Sequence, residues 1–224
     1  MSATAGHTGP SAVVHTGRMD VRRQADRLVD LGVPELAGTT AEELLGLADG
    51  LEGDGVLCVH PSLVPPSRLV PLLRHDGRPG FVVEDMTDLD DFAAIADLDV
   101  PDRPLYLLQG VDRGDDLLDW TPDAALPEVR GRGRTPLTIS EGISWLLQEP
   151  DRLEANRCFM CLGSRRLTPR GMDARVPAIW ISRGTGRDGR SRRNAPKVGW
   201  CWAGNHHTWL GIASASGRSP RPTG

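Results

Sequence analysis

Aromatic side chains are scarce. Only 4% of the 224 residues are Phe, Trp or Tyr, against 39% hydrophobic residues overall. An apolar interior therefore has to be assembled mainly from Leu, Val, Ile and Ala. Four cysteines are too few for a disulfide scaffold in a chain of this length. No apolar run approaches the ~18 residues of a membrane-spanning helix. The first 17 residues are rich in Ser, Thr, Gly and Ala and lack the apolar segment of a secretory signal. These absences predict a soluble, cytoplasmic protein with reduced thiols, without a membrane partner, a resident metal or a cofactor. Oligomeric state is not legible. The length supports one domain over residues 18–217, with residues 1–17 and 218–224 as disordered tails.

The formal charge of −4 conceals an asymmetry. Residues 1–129 carry 9 basic and 24 acidic side chains, and residues 130–224 carry 17 and 6. Such a split fits either an anion-binding basic half or two halves that neutralise one another within one fold.

Along the chain, apolar residues at helical spacing around Val21, Ala25 and Leu28 predict an amphipathic helix, stopped by Gly32 with Pro34 beyond. Thr40-Ala41-Glu42-Glu43 has capping-box spacing and opens a second helix. This pair is only loosely like a helix-turn-helix, because the second helix is acidic where a recognition helix is basic. Short apolar runs predict strands at residues 56–59, 80–85 and 105–108. Thr121-Pro122 starts another helix, and Thr138-Ile139-Ser140-Glu141 is a second capping box whose helix ends at Glu149, before Pro150. From residue 157 the pattern turns to strands. Residues 158–164 and 176–182 are two of them, and residues 197–213 read as a hairpin around Gly204-Asn205-His206-His207. The five-arginine stretch 183–194 reads as a mobile loop. The fold class is α+β, with N-terminal helices and short strands packed against a C-terminal antiparallel sheet.

Several runs carry a family likeness. These are Cys158-Phe159-Met160-Cys161-Leu162-Gly163-Ser164-Arg165-Arg166, Val176-Pro177-Ala178-Ile179-Trp180-Ile181-Ser182, Gly199-Trp200-Cys201-Trp202-Ala203-Gly204-Asn205 and His207-Thr208-Trp209-Leu210-Gly211. Together with Leu31-Gly32-Val33-Pro34 and Gly77-Arg78-Pro79-Gly80-Phe81, they resemble an actinobacterial family of uncharacterised proteins, a domain of unknown function, over about residues 20–217. The resemblance implies no activity. The chain departs from the family pattern at Cys161, where an apolar residue is usual, and at His206, where Pro is usual.

Four constellations have chemical potential. Cys158, Cys161, Cys201 and His206 or His207 are zinc-type ligands. Positions three apart on a strand face opposite ways, however, so Cys158 and Cys161 diverge and buried thiols are the simpler expectation. Cys201 with the two histidines could form a thiol nucleophile, provided its pKa is depressed. Trp180, Trp200, Trp202 and Trp209 could line a pocket or simply fill a core. The arginines between strands could hold a single-stranded nucleic acid, though no recognised nucleic-acid module is legible.

The leading expectation is a small-molecule-binding protein, with an enzyme of bacterial specialised metabolism as its more specific form. His207, Asn205 and Glu141 are its acid/base or polar groups. Trp200, Trp202 and Trp180 are walls, and Arg165 and Arg183 hold an anion. The alternative is a non-enzymatic interaction or single-stranded nucleic-acid-binding module that uses the arginine loops.

Overall fold

The computed structural model describes residues 20–219. The expected tail at residues 1–17 lies outside them, as do residues 220–224. The chain begins with three helices. Helix α1 (Val21–Asp30) is capped by Asp20, whose Oδ1 accepts the Arg23 N–H at 2.8 Å, and it buries Gln24, Ala25 and Leu28. Gly32, in the left-handed region at φ +83°, ends it and leads into a single extra turn, α2 (Val33–Ala37). Helix α3 (Ala41–Ala48) has the predicted capping box, with Thr40 and Glu43 each bonding the other's backbone.

Strand β1 (Val56–Val59) pairs antiparallel with β3 (Leu105–Gln109), Val56 opposite Leu108. The Gln24 side chain holds the outer edge of β1, donating to the Gly55 carbonyl and accepting from the Leu57 N–H. On the other side of β3 lies β8 (Gly217–Ser219), with Arg218 opposite Leu108. This corrects the expectation of a disordered tail from residue 218: Arg218 and Ser219 are strand, and the Arg218 guanidinium enters the interior.

The second sheet runs β7-β4-β5-β6-β2, comprising Leu210–Ile212, Cys158–Met160, Arg175–Ile181, Pro196–Trp202 and Phe81–Val82. Its middle is antiparallel: β5 pairs with β4 on one side and with β6 on the other. Its two edges, β7 on β4 and β2 on β6, are parallel additions. The predicted hairpin does not form. β6 and β7 are separated by β4 and β5, and residues 203–209 form a crossover. Two contiguous apolar runs with a turn between them imply local pairing, but β6 gains more from the seven-residue β5 and from β2.

Two further helices, α4 (Pro66–Leu69) and α5 (Pro122–Gly131), precede α6 (Ile139–Gln148), which lies between the sheets and is buried along its whole length. Its Ser144 Oγ accepts the Val59 N–H of β1 at 3.0 Å. A side chain at Gly142 would meet Cys161 Sγ at 2.7 Å and the Phe159 ring at 3.1 Å, so glycine permits close approach to the second sheet. Buried Ile143, Trp145, Leu146 and Leu147 each contribute about 1.5–3 kcal/mol of apolar burial.

The arginine stretch is not the loose loop expected. It forms 3₁₀ turns at Gly186–Asp188 and Arg190–Arg192. It is tied back by Arg192 stacked 4.4 Å over the Phe81 ring and by the Ser191 carbonyl accepting from Arg78. The charge asymmetry is largely internal. Asp88 is held by Arg166 and Arg175, Asp91 by Arg166, Asp97 by Arg130 and Asp85 by Arg187, each joining the acidic half to the basic half.

Candidate functional site

The register of β5 on β6 places Trp180 opposite Lys197 on the sheet face turned away from α6. Next to Lys197 on that face is Gly199. The Trp180 ring lies over it, so closely that a Cβ at Gly199 would be 2.6 Å from the ring. Trp209, just before β7, meets Trp180 edge to face, with centroids 6.2 Å apart and planes at 79°. The two indoles form one corner of a cleft of about 300 Å³, which Asn156, Arg183, Thr185, Asp188 and Lys197 also line.

The returning loop supplies the polar side. Lys197 Nζ donates to both Asp188 carboxylate oxygens, at 2.9 and 2.8 Å, and stands 5.1 Å from the centre of the Trp180 ring. Ser182 Oγ donates to Asp188 at 2.8 Å and accepts the Gly184 N–H, fixing the first turn of the loop. Arg183 donates to Asn156 Oδ1 at 3.2 Å. Two cations and one carboxylate thus border an indole corner, and the local balance favours an anion. Cys158 lies at the floor, where burial pushes its thiol up to about 11, so it is a neutral wall at physiological pH.

Of the residues expected to form one site, the structure brings Trp180 and Arg183 together in this cleft. Trp200 and Trp202 are on the opposite face of β6, stacked edge to face at 4.6 Å. They cannot share a wall with Trp180, because residues two apart on a strand share a face and Trp180 pairs with Lys197. Arg175 lies 6.0 Å from the Trp200 ring and is locked by Asp88 and Asp173. Those ion pairs hold both carboxyls below their ordinary range and the guanidinium above its own.

Arg165 is apart from the cleft as well. It donates to the Asp173 carbonyl and faces Asp123 at 3.8 Å, while its buried Nε has no partner. Asn205 is exposed on the crossover, its N–H bonded to the Trp202 carbonyl. His207 stands beside Trp209, centroids 6.1 Å apart, and does not line the cleft. Its Nε2 is buried without a partner, and burial, then His206, lowers its pKa. His206 faces away, bonded to the Asp119 carbonyl.

Glu141 is a correction. It does not reach the crossover or the cleft. It is fully buried at the start of α6, closing the capping box through the Thr138 N–H, and accepts from Tyr106 Oη at 3.0 Å and Arg218 at 2.5 and 2.8 Å. This is a structural ion pair rather than an acid or base open to a ligand.

The sulfur readings change too. All four cysteines are buried free thiols. Burial raises Cys161 strongly and Cys201 to about 12, the reverse of an activated nucleophile. Among the described residues no three His, Cys, Asp or Glu side chains cluster as metal ligands, and no helix is long and apolar enough to cross a membrane.

Lys197 and Asp188 were missed from the sequence. Lys197 is a charge inside an apolar strand, opposite a tryptophan once β5 and β6 are aligned, and that interruption was the available signal. Asp188 had none, being one acid within an arginine-rich loop.

No curated protein and no solved structure matches this chain. A family model described as a family of unknown function (DUF5701) matches residues 27–221, which take in both sheets and α6, and the chain belongs to that family.

Proposed function

We propose that the protein binds a small organic anion bearing a planar ring in the Trp180–Trp209 cleft. The observation that carries this reading is the perpendicular indole pair set beside the Lys197 and Arg183 cations in one cavity. An indole corner stacks or edges a flat ring, and the cations take a carboxylate, sulfonate or phosphate. Asn156 and Thr185 add neutral hydrogen-bonding groups. A volume of about 300 Å³ lies at the low end of small-molecule sites, so the ligand is a compact one.

The wider expectation of an acid/base enzyme of specialised metabolism has less support. Glu141 is committed to Arg218, Cys158 is a neutral thiol, and Asp188 is engaged by Lys197 and Ser182. Binding is therefore the reading adopted.

Anilinonaphthalene sulfonate, a fluorescent planar anion, tests it. Saturable binding of one equivalent, displaced by benzoate and weakened about tenfold or more in Lys197→Met and Arg183→Gln, supports the reading, since a hydrogen bond to a charged group is worth about 1.5–3 kcal/mol. Binding unchanged in both variants overturns it. Tight, salt-dependent binding of a single-stranded oligonucleotide in place of benzoate would favour the arginine loops as a nucleic-acid surface.

A further inference from the structure

A second cavity, of about 250 Å³, lies on the other side of the molecule's interior, at the start of α6. It is more closed than the tryptophan cleft and shares no residue with it. Its walls are mainly apolar and ring-bearing: Pro61, Pro66, Phe92, Val100 and Tyr106. Two polar groups face this apolar space.

Ser140 is only 2% exposed, and its hydroxyl has no hydrogen-bond partner among the described residues. It is unlike its neighbours at the cavity, whose oxygens are engaged. Thr138 Oγ1 accepts the Glu141 N–H and Ser164 Oγ accepts the Ile139 N–H. Asp90 is tied to the Ser67 N–H and hydroxyl at 2.9 and 2.6 Å. A hydroxyl at a cavity wall that bonds to no neighbouring protein group is open to a hydrogen bond from a ligand.

The second group is His60. The Ser62 N–H donates to His60 Nδ1 at 3.1 Å, so in the neutral ring the proton sits on Nε2, the remaining donor. Burial favours that neutral ring. No cation lines the cavity, and the one carboxylate in its wall disfavours an anion.

We infer that this cavity is a second binding site, for a small neutral ring compound carrying one hydroxyl or carbonyl oxygen, with Ser140 Oγ and the His60 ring as its polar contacts. The volume fits a substituted six-membered ring, given that a cavity of about 150 Å³ accommodates benzene. The site is independent of the tryptophan cleft, and the opposite charge preference makes the two separable.

The test uses para-cresol, toluene and benzoate as probes, followed by ligand-observed NMR and by the His60 ring signals. Para-cresol is expected to saturate the protein, shift the His60 signals and bind about three- to tenfold more tightly than toluene, the difference one neutral hydrogen bond makes. Ser140→Ala is expected to erase that preference. Ala94→Phe, at an exposed position in the cavity wall, is expected to abolish binding without unfolding the protein. Lys197→Met should leave para-cresol binding unchanged, and benzoate should not shift His60. Absence of saturable para-cresol binding, binding that survives Ala94→Phe, or a preference over toluene unaltered by Ser140→Ala would each overturn the inference.

Discussion

Replacing Arg218 with Ala is predicted to be among the most damaging single changes in the chain, although the residue stands in a Ser-, Pro- and Gly-rich terminus. The Arg218 and Glu141 side chains are 4% and 0% exposed, and their carboxylate–guanidinium contact is double. Arg218 also donates to Thr135 Oγ1 at 2.7 Å and to the Pro136 carbonyl at 3.1 Å. Removing one partner of a buried pair leaves the other charge without compensation, at about 3–5 kcal/mol. That is a large part of the ~5–15 kcal/mol that stabilises a typical folded protein. At about 2–4 °C per kcal/mol for a chain of this size, the melting temperature should fall by roughly 6–20 °C. Urea denaturation followed by circular dichroism reads it directly, with the midpoint falling and the slope unchanged. Arg218→Met combined with Glu141→Gln should recover part of the loss, because no charge is then left buried while the amide oxygen still accepts a hydrogen bond from Tyr106 or Thr138. A single Arg218→Ala variant within about 1 kcal/mol of the parent would refute the argument that this terminus is part of the core.

Burial lowers the His60 and His207 pKa values. Below their ordinary value of about 6.5 the unfolded chain therefore binds more protons, and stability falls as pH drops from there through the folded values, with a further loss below about 3.8 as the Arg175-held Asp88 and Asp173 protonate. Urea midpoints that rise from pH 7 to pH 5 would contradict this. Cys158, raised to about 11, carries roughly one thiolate in a thousand at pH 8, so native protein should react slowly with iodoacetamide and urea-unfolded protein quickly. A fast native thiol would restore the nucleophile reading. Gly199→Ala should push the Trp180 ring out of place, weakening anilinonaphthalene sulfonate binding and changing tryptophan emission, since its Cβ would lie 2.6 Å from that ring. A variant with unaltered emission and affinity would show that the ring does not rest there.

What the sequence made legible was local. The capping boxes at Thr40 and Thr138, the stop at Gly32 and the apolar strands at residues 56–59 and 105–108 each depend on neighbours within four positions, and each is present. What it hid was pairing at a distance. The turn Gly204-Asn205-His206-His207 suggested a hairpin, while the competing partners of β6 lie some twenty and more than a hundred residues upstream. With that register unknown, Trp180, Trp200 and Trp202 looked like one wall, although pairing splits them between two faces. Glu141 looked like a candidate acid because its partner, Arg218, is 77 residues away. The candidate cleft therefore retained Trp180, Trp209 and Arg183 from the sequence reading and gained Lys197 and Asp188 from the fold.

The central claim is that Trp180 and Trp209 form an anion-binding corner. The most direct measurement is a titration of isotope-labelled protein with benzoate, observing the six tryptophan indole N–H signals, each assigned by a single Trp→Phe substitution. The account predicts saturable shifts at Trp180 and Trp209, with Trp200 and Trp202 unmoved. Shifts confined to Trp200 and Trp202, or no shift at any indole in millimolar benzoate, would contradict it.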